Sequence, residues 1–497
     1  MNAAKEAVMD CLELGAKEFV LCSGARNLEL ISLIQSVEGI DTYNFPEERS
    51  AAFFAMGRSI KTSSPTVIVT TSGTAVSELF PAVIESFYQS IPLILLTADR
   101  PKRFQGTGSP QTINQINIFG TYAENNIKKW TANMPLHLNV NLEEPYSISE
   151  NTEKIQIPEF KRSIGAINSQ DVIEASTAAL QHFLNSAEDL FVLVSKINND
   201  VQEDVYDFIA NNNLPVYAES TSGLREDLNS SLPSEINAKY ILRIGSLPSC
   251  RYWRDLEDDE SIEVFSVTSN GLPGLSRKST VTRKVNWTNL TYPFSKEGQQ
   301  IQSSIPLVDD LISKYPTAEL SWIRHLSNVI PKGSLVFLGN SLPSREWEIS
   351  ASRARKNLRC YSNRGANGID GNISTFLGIA NNENESWGIF GDLTTLYDLF
   401  APWIINKQKQ NNIRIVVINN GGGKIFSRID PVKESAKHIK ETIINNHNIG
   451  FQSWASMWGI HYIKAQIPTD LKDIPDGPVI IEVIPDIASS EHFWNAL

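Results

Sequence analysis

WGIFGDLTTLYDLFAPWIINKQKQNNIRIVVINNGGG, residues 387–423, contains two short apolar runs that each end in turn residues. The run 387–390 continues into Gly391-Asp392, and the run 413–418 continues into Asn419-Asn420. Apolar runs of this length, followed by turn residues and a helical pattern, indicate strands of a parallel α/β sheet. Because ligands of parallel α/β sheets bind at the carboxyl ends of the strands, we expect the aspartate and the asparagines to lie close to one ligand.

The same rhythm of strand and helix occurs along most of the chain. It predicts three α/β domains, each with a parallel sheet flanked by helices, at residues 1–165, 171–305 and 318–497. The polar stretches 135–170 and 270–305 are predicted to connect these domains. The remaining predicted strands are short apolar runs at residues 19–21, 66–69, 93–96, 189–194, 240–244, 335–338 and 479–483.

Composition and charge exclude several classes of protein. The 497 residues are 41% hydrophobic and 20% charged, which is typical of a globular chain with ample core. The formal net charge of −12 argues against nucleic acid as a partner. No apolar run approaches the roughly 20 residues that a membrane span needs, and the N-terminus lacks an export pattern. The missing export pattern predicts a cytoplasmic protein. The four cysteines form no CxxC pair, so we predict neither a zinc site nor a disulfide framework.

The two strand ends carry the residue types that bind magnesium. Mg²⁺ prefers oxygen ligands in octahedral geometry and takes only one or two side chains from protein, the rest from phosphates and water. Asp392 offers an anionic oxygen, and an asparagine and a glycine carbonyl on the next strand end offer neutral ones. Asn420 with Gly422 fits this role, and Asn419 with Gly421 fits the spacing almost as well. The alternative is two ordinary turns, in which Asp and Asn are common.

A second acidic segment precedes an alanine-rich helical pattern. Residues 45–57 read FPEERSAAFFAMG, with Glu47 and Glu48 at the start of the predicted helix. Acids in a first helical turn are favoured by the helix dipole, which is the ordinary explanation for both. A buried glutamate there would instead have a raised pKa and could exchange protons with a ligand.

Both segments resemble those of thiamine-diphosphate enzymes. The fingerprint of that superfamily is a GDG followed by NN at this spacing, and here the third residue is Leu393 instead of glycine. The resemblance implies the thiamine-diphosphate-binding fold, Mg²⁺ (or Mn²⁺ in its place) held by Asp392, Asn420 and Gly422, and activation of the coenzyme by Glu48 as catalytic residue. It also implies a homodimer or homotetramer with active sites between chains. The remaining diphosphate-side contacts that it implies are Gly391, Leu393 and Gly423.

Four further segments resemble one branch of this superfamily, the family of 2-succinyl-5-enolpyruvyl-6-hydroxy-3-cyclohexene-1-carboxylate synthases (SEPHCHC synthases) of menaquinone biosynthesis. The most specific is SNRGANGID at residues 362–370, which continues into Gly371 to complete the pattern SNRGAxGIDG. The others are TTSGTA at 70–75, LTADRP at 96–101 and KIFS at 424–427. The resemblance implies decarboxylation of 2-oxoglutarate and conjugate addition of the remaining succinyl carbanion to isochorismate, with release of CO₂.

The resemblance also assigns residues to the two dianionic substrates. Arginine suits carboxylates because its planar fork binds them bidentately. Ile369 would prop the coenzyme in its bent form, and Ile425 and Phe426 would form an apolar wall. Three departures from the family pattern put the fine affinity for isochorismate in doubt: Ala25, Pro110 and Cys250. The implied substrate-binding residues are Arg26, Arg100, Gln111, Arg251, Arg345 and Arg364.

Other functions are compatible with parts of this pattern. Another thiamine-diphosphate carboligase, such as an acetolactate synthase, or a simple 2-oxo acid decarboxylase would share the coenzyme motifs but lacks the segment 362–370. A catalytically inactive scaffold could retain the fold, although both the activating glutamate and the metal-binding pair are present. A classical dinucleotide-binding enzyme is disfavoured because no GxGxxG follows the first strand.

Overall fold

A computed structural model of the chain describes residues 2–143, 154–159, 170–232, 236, 238–294, 305–380, 383–408 and 411–497. The α-helices of these parts are α1 (Ala3–Glu13), α2 (Leu28–Gln35), α3 (Glu48–Thr62), α4 (Thr74–Ser77), α5 (Phe80–Gln89), α6 (Gln170–Ser186), α7 (Gln202–Asn211), α8 (Arg251–Asp255), α9 (Ile305–Lys314), α10 (Glu319–Val329), α11 (Leu342–Ser350), α12 (Asn372–Ile379), α13 (Asp392–Tyr397), α14 (Trp403–Gln408), α15 (Asp430–Lys433), α16 (Lys437–Ile444), α17 (Gln452–Trp458) and α18 (Ile487–Ala496). The strands are β1 (Glu18–Cys22), β2 (Asp41–Phe45), β3 (Thr66–Thr70), β4 (Leu93–Asp99), β5 (Leu136–Asn141), β6 (Leu190–Val194), β7 (Val216–Ala218), β8 (Tyr240–Ile244), β9 (Glu263–Val267), β10 (Thr280–Thr282), β11 (Leu335–Leu338), β12 (Arg359–Tyr361), β13 (Ser386–Gly391), β14 (Ile413–Ile418), β15 (His461–Ala465) and β16 (Val479–Val483).

The strands form three parallel sheets. Their orders are β2-β1-β3-β4-β5, β10-β9-β8-β6-β7 and β12-β11-β13-β14-β16-β15. Every residue of the central strands β1, β3, β4, β6 and β14 is buried, because helices cover both faces of each sheet. This burial explains why these strands are continuous apolar runs rather than alternating ones. The prediction of three parallel sheets flanked by helices is confirmed.

The chain forms two compact units. Unit 1 comprises residues 1–167, 365–380 and 397–410 and contains the first sheet. Unit 2 comprises residues 168–364, 381–396 and 411–497 and contains the other two sheets. The domain boundaries 1–165, 171–305 and 318–497 stay predictions, and the stretches 144–153, 160–169 and 295–304 around them lie outside the described residues.

The helices offer no candidate for a membrane span. Across the ranges given above, none of them is both long enough and apolar enough to cross a bilayer.

Candidate active site

In unit 2, two neighbouring strands of the third sheet end side by side. β13 pairs with β14 in parallel, and Gly391 lies opposite Ile418 at their carboxyl ends. Asp392 then begins α13 and is 2% exposed. Asn419 and Asn420 follow Ile418 directly. The sheet register therefore brings the predicted aspartate and asparagines to one edge, as the sequence led us to expect.

The Asp392 carboxylate accepts three backbone hydrogen bonds. Oδ2 accepts from the amides of Gly421 and Gly422 at 2.8 and 2.9 Å, and Oδ1 accepts from Leu393 at 2.6 Å. His447 Nε2 lies 3.4 Å from Oδ2. Burial raises the pKa of Asp392, whereas these amide hydrogen bonds and the nearby His447 oppose the rise. The aspartate thus fastens the glycine loop to the end of its own strand.

The glycine loop has a shape that only glycine accepts. Gly421 and Gly422 have φ of +79° and +133°. A Cβ on Gly422 would lie 2.7 Å from the carbonyl oxygen of Ile444 and 2.9 Å from that of Asn445. The next amide, that of Gly423, donates to the Ile444 carbonyl at 2.7 Å. Backbone without side chains therefore lies at this edge of the sheet, which would let a diphosphate approach it closely.

The two asparagines have different partners. Asn420 Nδ2 lies 3.1 Å from both carboxylate oxygens of Glu319, the first residue of α10. Its Oδ1 is buried and has no hydrogen-bond partner in the described part of the chain. Asn419 Nδ2 instead donates to Glu482 Oε1 at 2.6 Å and to the Ile449 carbonyl at 2.8 Å. A buried amide oxygen without a partner fits a metal ligand, and Asn420 is the asparagine that has one.

The Gly422 carbonyl has a neighbour within the loop. It accepts a hydrogen bond from the Lys424 amide at 2.8 Å. A carbonyl oxygen has a second lone pair, so this bond is compatible with a metal contact. Ile425 is half-buried and Phe426 is 40% exposed, both on the short 3₁₀-helix Lys424–Arg428.

Two buried carboxyl groups lie on the side of Asn420 that carries Nδ2. Glu319 and Glu346 are 2% and 0% exposed. Burial raises the pKa of the Glu319 carboxyl, and the hydrogen bond from Asn420 and the positive charge of Arg428 act against that rise. The Arg428 guanidinium lies 3.9 Å from the centre of the Trp494 ring. The motifs gave no indication of Glu319, which lies 101 residues from Asn420 in the sequence.

In unit 1, the predicted activating residue begins α3. Glu47 is the N-cap, and its carboxylate accepts from the amides of Arg49 and Ser50 at 3.1 and 2.9 Å. The capping role is thus filled by Glu47, which weakens the ordinary explanation for Glu48. Glu48 is half-buried, and burial raises its pKa, with the negative charges of Glu47 and Glu78 adding to the rise.

The first turn of α3 is bonded to Tyr397 and lies beside Asp398. Arg49 donates to the Tyr397 carbonyl at 2.8 Å. Asp398, which is fully buried, accepts from the amide and hydroxyl of Ser374 at 2.8 Å each, and Ser50 Oγ lies 3.5 Å from it. Burial raises the pKa of Asp398 to about 6. These contacts, which the motifs did not reveal, hold the two residues that follow Glu48.

The family-specific segment is also held by a buried acid. Glu85 on α5 is 3% exposed, and its carboxylate accepts from the amides of Gly365 and Ala366 at 2.6 and 2.7 Å. A Cβ on Gly365 would lie 2.8 Å from the Glu85 carbonyl oxygen, so this contact requires glycine. Ile369, four residues further on, is half-buried.

Two predicted substrate arginines of unit 2 lie close together inside the protein. Arg364 is 5% exposed and donates to Asn340 Oδ1 at 3.2 Å, while Arg345 donates to the Ser341 carbonyl at 2.7 Å. Burial lowers the pKa of Arg345, and the positive charge of Arg364 lowers it further. A buried and a half-buried cation in proximity favour an anion between or beside them.

Arg251 has a different environment. Its side chain is 73% exposed and forms an i,i+4 ion pair with Asp255 at 3.4 Å on α8. This geometry is that of a surface ion pair, so it lends no support to a substrate role.

Two of the three predicted substrate residues of unit 1, Arg26 and Arg100, follow the ends of strands β1 and β4. Arg26 is 6% exposed and donates to the Leu142 carbonyl at 3.3 Å. The Arg100 guanidinium lies 5.3 Å from the Phe104 ring centre, and its buried Nε has no hydrogen-bond partner in the described ranges. Gln111 has a φ of +54° and accepts from the Thr74 amide at 3.3 Å.

The fold and these strand ends define a class of protein. Residues 2–118 match the family model described as thiamine pyrophosphate enzyme, N-terminal TPP binding domain. A solved structure of a putative thiamin diphosphate-dependent enzyme from Mycobacterium smegmatis has a similar fold, with a TM-score of 0.70 over 98% of this chain and 100% of that one, at 12% identity. The chain is a thiamine-diphosphate-dependent enzyme.

Full-length relatives give the particular family. A 2-succinyl-5-enolpyruvyl-6-hydroxy-3-cyclohexene-1-carboxylate synthase from Bdellovibrio bacteriovorus is 38% identical, with 100% of this chain and 98% of the relative covered. Those from Akkermansia muciniphila and Lysinibacillus sphaericus are 33% and 27% identical over 98% and 99% of this chain, with 97% and 96% of the relatives covered. The chain belongs to the SEPHCHC synthase family, which confirms the resemblance found in the sequence.

Proposed function

We propose that this enzyme decarboxylates 2-oxoglutarate and adds the remaining succinyl carbanion to isochorismate, as the resemblance of its motifs implies. The product is 2-succinyl-5-enolpyruvyl-6-hydroxy-3-cyclohexene-1-carboxylate, the compound named in its relatives. Support comes from the family and from the half-buried Arg345 beside the buried Arg364, since a chain of net charge −12 needs local cations to bind dianions.

The residues at the strand ends fit a divalent cation with a diphosphate. Asp392 supplies an anionic oxygen, Asn420 a buried amide oxygen without a protein partner, and Gly422 a backbone carbonyl. Three oxygen donors of this kind suit Mg²⁺ or Mn²⁺, with phosphates and water completing the shell. The orphaned Oδ1 of Asn420 is the single observation that most strongly supports this assignment.

The chain contributes positioning and proton control. Thiamine diphosphate, when bound, supplies the carbanion chemistry. Glu48 would hold a proton against the ring nitrogen of the aminopyrimidine, for which a carboxyl with a raised pKa is suited. Arg345 and Arg364 would orient carboxylates of the substrates, and Ile425 and Phe426 would exclude water from the reacting carbon.

The direct experiment mixes protein, thiamine diphosphate, Mg²⁺, 2-oxoglutarate and isochorismate and identifies the product by mass. Formation of the named product supports the proposal. Turnover of pyruvate alone would favour another carboligase or decarboxylase. Coenzyme binding by calorimetry without any turnover would favour an inactive scaffold.

A matched pair of variants tests Glu48. Glu48→Gln keeps the shape of the side chain but cannot exchange the proton, so turnover should fall by about 100-fold or more while coenzyme binding persists. Glu47→Gln changes the adjacent acid, which caps the helix, and should cost only a few-fold through helix stability. Equal losses in the two variants would contradict the assignment of Glu48.

The family resemblance gives an expectation for the assembly of the protein, and the cysteines give one for its compartment. We expect a homodimer or homotetramer with active sites between chains, which light scattering coupled to gel filtration will measure. All four cysteines are free thiols, which suits a reducing compartment such as the cytoplasm.

A further inference from the structure

Glu319 determines which way the amide of Asn420 faces. An amide nitrogen only donates hydrogen bonds, so the carboxyl oxygens that face it accept them. Because Nδ2 lies 3.1 Å from both oxygens of Glu319, Oδ1 must face the opposite direction. A flipped amide would place Oδ1 against the carboxylate, which is repulsive inside a fully buried site.

On the side that faces away from Glu319, the Asn420 oxygen meets no protein donor among the described residues. Oδ1 of Asn420 is buried, and no donor of the described residues reaches it. A buried acceptor that is left unsatisfied is destabilising, so the orientation of Oδ1 implies a partner from outside the protein. The adjacent loop amides already bind Asp392, which brings a carboxylate to the same strand ends.

The neighbouring asparagine provides a comparison within the same turn. Asn419 is also bonded to a buried carboxylate, Glu482, which is 2% exposed. Glu482 additionally accepts from the Phe451 amide at 2.9 Å and the Tyr462 hydroxyl at 2.6 Å. It therefore organises the surrounding loop. Both oxygens of Glu319, which also contacts the Glu346 carboxyl, instead face the Asn420 amide, whose oxygen has no partner among the described residues.

We propose that Glu319 is a positioning residue of the metal site: it holds the Asn420 amide with Oδ1 toward the cation and excludes the flipped amide. This inference rests on the proposed metal-dependent function. Glu319 acts through Asn420, as the outer partners of metal ligands commonly do.

Manganese binding provides the test, because Mn²⁺ affinity can be measured by electron paramagnetic resonance without turnover. The full chain is titrated with Mn²⁺ in the presence of thiamine diphosphate. Glu319→Gln offers a donor as well as an acceptor and so permits both amide orientations. We expect Mn²⁺ affinity to fall about 10–100-fold. The matched control, Glu482→Gln, neutralises the carboxylate beside Asn419 and should change the affinity by less than about threefold.

A reciprocal variant tests the same idea without relying on a loss. In Glu319→Gln combined with Asn420→Asp, the glutamine can donate to one aspartate oxygen and leave the other for the cation. We expect this double variant to bind Mn²⁺ within about tenfold of the wild type and more tightly than Glu319→Gln alone. The comparison also separates a positioning effect from loss of folding, since a misfolded site would not recover.

The outcomes separate the inference from the function on which it rests. If the wild type does not bind Mn²⁺ with thiamine diphosphate, the proposed metal-dependent function is wrong. If the wild type binds and Glu319→Gln binds equally well, only the positioning role is overturned. A loss confined to Glu482→Gln would overturn it as well and would assign the ligand to Asn419.

Discussion

A glycine in the middle of α3 offers a test in which two physical effects have opposite signs. A Cβ on Gly57 would lie 2.2 Å from the carbonyl oxygen of Thr375 and 3.0 Å from the Cα of Gly378 on α12. Conversely, a Cβ on Gly378 would lie 2.3 Å from the Phe54 carbonyl oxygen. The two helices therefore approach at a pair of glycines, and Glu48 is the first residue of one of them.

Gly57→Ala should destabilise this contact despite a better helix propensity. Alanine in a helix interior is favoured over glycine by about 1 kcal/mol. Ordinary contact begins at 3.4 Å, so the new methyl requires the helices to separate by about 1.2 Å (3.4 − 2.2), and its neighbour is backbone that cannot rotate away. Overpacking of this kind costs about 1–3 kcal/mol, and a contact this short belongs to the upper part of that range. We expect a net loss of about 1–2 kcal/mol, a factor of about 5–30 in the opening equilibrium.

Amide hydrogen exchange measured by mass spectrometry is the suitable assay. Peptides covering α3 and α12 should exchange about 5–30-fold faster in Gly57→Ala. Peptides from β6 and β8 in unit 2 serve as an internal reference. The control is Gly450→Ala, because a Cβ there would meet only Glu482 oxygens at 3.8 Å, and it should leave α3 unchanged. Slower exchange in Gly57→Ala, as helix propensity alone would give, would refute the reasoning.

Three further predictions concern buried groups. The pKa of Asp398 is raised to about 6, so its contribution to stability is present below about pH 4 and is lost as the pH rises through 6. The free energy of unfolding, measured by urea denaturation, should fall by roughly 3 kcal/mol at most between pH 4 and 7 in the wild type, and Asp398→Asn should lack this loss. If the free energy of unfolding changed equally with pH in both proteins, the prediction would be contradicted. Glu85→Gln removes one acceptor for the amides of Gly365 and Ala366 and should speed their hydrogen exchange about tenfold, whereas unchanged protection would show that the carboxylate does not hold the segment. Burial raises the pKa of all four cysteine thiols, which are Cys11, Cys22, Cys250 and Cys360. A thiol reagent at neutral pH should therefore label the chain only after unfolding, and rapid labelling of the native protein would be inconsistent with this structure.

The sequence by itself determined the sheets and the strand ends. Runs such as 413–418, which is apolar except for Arg414, arise because both faces of a central parallel strand are buried, and that pattern is local. The edge at which Asp392 and Asn420 meet follows from the same logic, since parallel strands end together. The resemblance of residues 362–370 then identified the family, which the full-length relatives confirm.

Only the tertiary structure decided what surrounds those residues. The spacing of the motif could not separate Asn419 from Asn420, because both follow the same strand, and the difference between them is which distant carboxylate each amide meets. Glu319 lies 101 residues from Asn420, and Glu85 lies 280 residues from Gly365. A buried carboxylate leaves no periodic trace in the sequence, since its position depends on how helices pack in space and not on its neighbours in the chain.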